Sequence, residues 1–136
     1  MVAYSFKPRF EVAIREGWKT QTIRRGRARH AQPGEMLQLY CGMRTQHCRR
    51  IIPDVRCTEV MKVEIDFDDE GAIEAIRTDG VPVRDLDAFA VRDGFTDSDD
   101  MAAFWRKEHG AIDGMQFFGV LIEWAAPRSE AMAKAA

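Results

Sequence analysis

The chain has 136 residues and a mass of 15.5 kDa, enough for one hydrophobic core and too little for two. Hydrophobic residues make up 46% and charged residues 31%, which excludes a disordered, collagen-like or low-complexity chain. The net charge of −2 hides a division: residues 1–62 carry 13 Lys and Arg against 5 Asp and Glu, a net +8, and the remainder carries 7 against 17, a net −10. That polarity implies attraction between the two halves and leaves room for a basic face toward an anionic partner. No apolar run approaches the ~20 residues of a membrane helix, and MVAYSFKPRF holds no stretch of signal-peptide length. A cytoplasmic protein without membrane association is expected. Cys41, Cys48 and Cys57 are odd in number and contain no CxxC, so reduced thiols are expected.

In chain order, Pro8 suits the first turn of a helix that buries Phe10, Ala13 and Ile14, pairs Glu11 with Arg15, and stops at Gly17. A strand over Gln21–Arg24 follows. Pro33-Gly34 turns the chain into a second strand, Met36–Cys41, with Leu37, Leu39 and Cys41 on one face. The longest alternating run, Val55 to Ile65, places Val55, Cys57, Met61, Val63 and Ile65 on one face, and Glu59 with them. Asp68-Asp69-Glu70-Gly71 reads as a turn, with Ala72–Ile76 returning antiparallel. Asp85 caps a short helix with Leu86, Phe89 and Ala90 inward and Gly94 as its stop. Ser98 is the expected cap of another, with Met101, Phe104 and Trp105 as its apolar stripe and Gly110 at its end. Gln116–Trp124, apolar on both faces, reads as a central strand. The expected architecture is α+β, a small barrel or strongly curved, mostly antiparallel sheet with short helices. One domain over 1–124 and a flexible tail over 125–136 complete the expectation.

Chemistry concentrates in Gly17-Trp18-Lys19-Thr20-Gln21-Thr22-Ile23-Arg24-Arg25. A regular strand puts Thr20, Thr22 and Arg24 on one face and Lys19 on the other, so Lys19 meets Thr22 only if the backbone is still turning as it leaves the helix. A lysine drawn into a dry pocket among arginines loses part of its preference for charge and can act as base toward a hydroxyl, Thr22 being nearest. The simpler reading is a polar strand edge with solvated charges. Asp93 lies four residues after Phe89 in the last helical turn, where the helix dipole favours the protonated acid. Its simpler role is a turn at Asp93-Gly94. Glu59 is a second acid candidate, equally readable as an ion-pair partner for an N-terminal arginine. Arg24, Arg25, Arg27 and Arg29, joined by Arg44, suit phosphate oxygens, and Trp18 and Tyr40 suit base stacking. The spacing C-x6-C-x8-C is not that of a zinc finger; no metal and no cofactor are expected.

These residues resemble the ASCH domain. The resemblance rests on GWKTQTIR at 17–24, on Pro33-Gly34-Glu35 leading into Met36–Tyr40, and on Phe89-Ala90-x-x-Asp93-Gly94-Phe95 followed by Met101 and Phe104-Trp105. It covers residues 4–124, and Tyr40-Cys41-Gly42-Met43-Arg44-Thr45 is similar to phage and bacterial versions. It implies a PUA-like β-barrel that handles RNA or nucleotides. One branch hydrolyses the amide of N4-acetylcytidine with a lysine base, a threonine nucleophile and a glutamate proton donor, roles that fall by position on Lys19, Thr22 and Asp93. Aspartate is one methylene shorter than that glutamate. The chain is also longer than members of that branch through Arg44–Pro53 and Glu70–Val83. The expected ligand is thus a modified nucleoside or RNA, held by Trp18, Thr20, Arg24, Arg25, Arg27, Arg29, Tyr40, Arg44 and Glu59. The competing expectations are a non-catalytic RNA-binding module, in which Lys19 stays protonated on phosphate, and a ribonuclease.

Overall fold

A computed structural model describes residues 1–27 and 29–126. Strand β1 (Val2–Phe6) leads through a single 3-10 turn (Pro8–Phe10) into helix α1 (Glu11–Glu16), then β2 (Gln21–Arg24), β3 (Met36–Cys41), β4 (Arg49–Arg50), β5 (Val55–Phe67), β6 (Ile73–Thr78) and β7 (Val81–Pro82). Helices α2 (Leu86–Arg92) and α3 (Ser98–His109) precede the last strand, β8 (Gln116–Trp124). The strands form one mostly antiparallel eight-stranded sheet that is not closed. The tail expected to be flexible falls, from residue 127 on, outside the described residues. Among the described residues no helix is long and apolar enough to cross a membrane.

Periodicity singles out nothing before Pro8, yet Val2, Tyr4 and Phe6 are buried and β1 pairs with β3 in parallel, Val2 beside Leu37 through Phe6 beside Cys41. A parallel pair needs a long crossover, and the helix, β2 and the following loop provide it. The short strands β4 and β7 also lie where alternation is too brief to read. As expected from its two apolar faces, β8 is central, flanked by β2 and β5.

Strand β5 corrects the sequence reading. Cys57 pairs with Trp124 and Glu59 with Glu123, leaving Thr58 as the extra residue of a bulge. Beyond it Val63 pairs with Gly119, five residues from Trp124 along β8. Cys57 and Val63 therefore face opposite sides of the sheet, both buried. The bulge resets the two-residue alternation, so Glu59 lies on the side of Val63 and not of Cys57; it is exposed there.

The helices end where the sequence indicates. Gly17, with φ 87°, caps α1, and Asp85 accepts a hydrogen bond from Ala88 N to cap α2. For α3 the cap is Asp97, not Ser98: its carboxylate accepts from Asp100 N at 2.8 Å, and Ser98 is the first helical residue. Phe10, Phe95 and Phe104 meet ring to ring at 5.2–5.4 Å, joining the start of α1 to α3 and to the loop between α2 and α3. Burying such aromatic surface contributes a few kcal/mol per ring, on the order of 2–3. Cys41 and Cys57 are buried free thiols, packed as small apolar residues.

Candidate functional site

Lys19 owes its position to the end of α1. Gly17 N, Trp18 N and Lys19 N all donate to Ala13 O at 3.1 Å, so the chain curls around the helix terminus instead of entering β2 directly. Thr20 N then donates to Arg92 O at 3.0 Å, fixing this curl to the end of α2. The turn sends the Lys19 side chain inward, where it is 3% exposed, over the rings of Phe10 (4.8 Å) and Phe6 (5.4 Å). Its ammonium donates to Gln21 O at 2.8 Å and to the backbone carbonyl of Asp93 at 2.5 Å. Gly94, with φ 99°, makes room for it: a Cβ there would lie 2.7 Å from Lys19 Cδ and 2.8 Å from Phe10 Cδ1.

Asp93 closes α2 as its C-cap residue, its amide bonded to Phe89 O and Ala90 O. It is 5% exposed, and among the described residues its Oδ1 receives only a long bond, 3.4 Å, from Gln21 Nε2. Burial raises the Asp93 carboxyl to about 6, opposed by the Lys19 charge, the Gln21 bond and Arg24. Burial likewise lowers the Lys19 ammonium to about 8; Asp93 opposes the drop, and Arg24 and Arg9 add to it. Desolvation outweighs mutual attraction because the ammonium is bonded to carbonyls and not to the carboxylate. An acid and a base with pKa values on either side of neutrality are a common mark of a reactive site.

Thr22 and Arg24 come from β2, where they share a face. Arg24 Nε donates to Thr22 Oγ1 at 3.0 Å and its Nη2 to Ser5 O at 2.7 Å, with the guanidinium over Tyr4 (5.2 Å) and Phe6 (4.9 Å). This side chain spans the gap between β1 and β2 that strand pairing leaves open. Because Arg24 occupies a lone pair of Thr22 Oγ1, the hydroxyl proton is directed elsewhere. Burial lowers the Arg24 pKa.

Lys19, Thr22, Arg24 and Asp93 line one cavity of about 320 Å³, together with Arg25 and the aromatic wall of Phe6, Phe10, Phe95, Phe104, Trp105 and Phe117. Two stretches of chain about seventy residues apart thus meet at one hollow. The hydrogen bonds of Lys19 among the described residues go to carbonyls, and none links it to Thr22 Oγ1.

The remaining sequence candidates lie elsewhere. Trp18 is 39% exposed, and Thr20 spends its backbone on Arg92 and Trp124. Arg27 rests on Tyr4 at 4.7 Å and donates to Arg29 O, while Arg29 pairs with Glu35. Tyr40 receives a bond from Arg50, and Arg44 is an exposed turn residue with φ 70°. Glu59, exposed on β5, faces Glu123 and not an arginine. Nor does the basic half rely mainly on the acidic one. Glu11 holds Arg15 and Arg49, Glu35 holds Arg29, and Asp54 holds Arg50, whereas Lys7–Glu108 and Arg9–Asp100 cross between halves. Sequence reasoning missed Ser5, Phe6, Lys7, Glu108 and His109 in the cavity wall; nothing in the local sequence marks Phe6 as part of a site. No group of three His, Cys, Asp or Glu side chains among the described residues is arranged to hold a metal ion.

No protein-family model, curated protein or solved structure matches the chain. The functional reading therefore rests on the cavity itself.

Proposed function

We propose that this chain is a cytoplasmic ASCH-type domain, a PUA-like barrel in which Arg24 bridges the gap between β1 and β2, and that its cavity binds an N-acylated cytidine-type nucleoside and hydrolyses the amide. The observation that carries the reading is the meeting of Lys19, Thr22 and Asp93 at one aromatic-walled hollow. A volume of about 320 Å³ is at the small end of ligand pockets, suited to a base and little more.

In this mechanism neutral Lys19 accepts the Thr22 hydroxyl proton as Oγ1 bonds to the acyl carbon. The carbonyl π pair moves to oxygen. It returns as the C–N bond breaks, and protonated Asp93 gives its proton to the departing exocyclic amine. A water then attacks the Thr22 ester, yielding one proton to the Asp93 carboxylate. Lys19 returns its proton to Thr22 Oγ1 as the carboxylic acid leaves. Two N–H groups of neutral Lys19 satisfy the Gln21 and Asp93 carbonyls, and its lone pair is the position left for the proton. Contact between Lys19 and Thr22 then forms on substrate binding, as catalytic hydrogen bonds in unliganded sites often do.

A second reading, an RNA-binding module without catalysis, draws support from three hydrogen bonds: Lys19 is engaged by two carbonyls and Thr22 by Arg24. Incubation with N4-acetylcytidine separates the two. Turnover that falls about 10³-fold in both Lys19→Ala and Thr22→Ala supports the hydrolase. Absence of turnover, with RNA binding that weakens steeply in salt, supports the module.

A further inference from the structure

Two further basic side chains that line the same cavity stand against aromatic rings. His109, in the last turn of α3, lies 4.8 Å from the Trp105 ring and 6.4 Å from the Phe117 ring. Arg25, just past β2, holds its guanidinium 5.7 Å from the same Phe117 ring. Trp105 and Phe117 pack edge to face at 4.6 Å, so the imidazole and the guanidinium share one aromatic platform. Among the described residues neither has a carboxylate within ion-pair distance. Glu108 lines the same cavity, where Lys7 engages its carboxylate at 3.0 Å. Arg24 adds a further positive charge to the cavity lining.

We infer that Arg25 and His109 form a phosphate subsite beside the base-sized hollow, so that the preferred ligand is a nucleotide and not an uncharged nucleoside. This rests on the reading of the cavity as a nucleobase pocket. A guanidinium fork and an imidazole N–H are donors suited to phosphate oxygens, and contact with the rings limits their freedom before the ligand arrives, which lowers the entropic cost of binding. The chemistry excludes most of the arginine-rich loop from this role, since Arg27 and Arg29 are turned to Tyr4 and Glu35. His109 carries the readout. Partial burial and then the Arg25 charge hold it below the ordinary imidazole value, with Glu108 opposing. An anion held by both side chains reverses that balance, favours the imidazolium and raises it.

The test follows the His109 imidazole C–H resonances through a pH titration by NMR, first with inorganic phosphate. The expected result is an upward shift of the His109 midpoint that Arg25→Gln abolishes; no shift, or one that persists in Arg25→Gln, overturns the subsite. Equilibrium binding of cytidine, cytidine 5′-monophosphate and a short single-stranded oligoribonucleotide follows. A phosphorylated ligand binding at least about tenfold tighter than cytidine, with the advantage lost in Arg25→Gln, supports the inference; equal affinities overturn it. Preference for the mononucleotide identifies a free nucleotide as the source of the phosphate, and preference for the oligomer identifies an RNA backbone. Because inorganic phosphate needs neither base recognition nor turnover, loss of the hydrolase reading leaves the first arm intact, and failure of the subsite leaves acyl hydrolysis untouched.

Discussion

Lys19 and Asp93 are each nearly out of contact with water, and the same burial moves their pKa values toward one another, to about 8 and about 6. The reactive form needs the amine neutral and the acid protonated, a minority of about one molecule in a hundred at pH 7 by independent titration. The kcat/KM profile for an acylated cytidine should therefore be a bell with limbs near pH 6 and pH 8, rising with Lys19 deprotonation and falling with Asp93 deprotonation. A rate that is flat from pH 5 to pH 9 contradicts these assignments. Gly94 is the residue on which the geometry depends, because a methyl group there meets Lys19 Cδ at 2.7 Å and Phe10 at 2.8 Å, at φ 99°. Gly94→Ala should cost on the order of 2–3 kcal/mol in stability by strain and overpacking. It should also lower kcat more than it raises KM, because it displaces the base and leaves most of the aromatic wall intact. Denaturation curves and steady-state kinetics check the two parts separately.

At the scale of elements, the legible features of the sequence were those written in local chemistry. Gly17 and Gly94 stop their helices, Asp85 caps one, and the doubly apolar β8 sits in the centre. The bulge at Thr58 was illegible, since one extra residue leaves no mark on a run that alternates on both sides of it. Strand β1 was hidden for a different reason: five residues of alternation before a proline acquire meaning only through β3, thirty-odd residues away. The outward placement of Glu59 has a direct consequence. It faces Glu123 across the β5–β8 ladder, and burial raises the Glu123 carboxyl, with Arg92 opposing and Glu59 adding to the rise. Like charges directly opposite are unfavourable, so Glu59→Lys should stabilise the protein by about 0.5 kcal/mol in chemical denaturation. A loss of several kcal/mol indicates that the side chain points inward after all.

Over the whole molecule, the division of charge along the sequence proved a poor guide to the site. Four arginines of the basic half, Arg15, Arg29, Arg49 and Arg50, are matched by Glu11, Glu35 and Asp54 within that half, so the charge surplus read from the sequence does not by itself mark the cavity. Recognising Lys19, Thr22 and Asp93 as a set required the family resemblance or the fold, because nothing in their spacing brings 19 and 93 together. Their burial also shapes stability. Unfolded, lysine keeps its proton to about 10.5, whereas folded Lys19 releases it from about 8; the folded state binds fewer protons, and stability rises as pH goes from 8 toward 10.5. Asp93 retains its proton to about 6, against 3.8 unfolded, so stability rises as pH falls from 6 toward 3.8. Between these ranges both charges are buried. Wild type measured against Lys19→Met/Asp93→Asn should accordingly show its smallest relative stability near pH 7 and gain on either side. A maximum at neutrality instead means that the two groups stabilise the fold as an ion pair.

The most direct measurement is the titration of Lys19 itself, followed through its side-chain ¹³Cε resonance in lysine-labelled protein and assigned by comparison with Lys19→Met. A midpoint about 8 is the predicted result; a midpoint at the ordinary lysine value of about 10.5 contradicts an amine poised to act as a base.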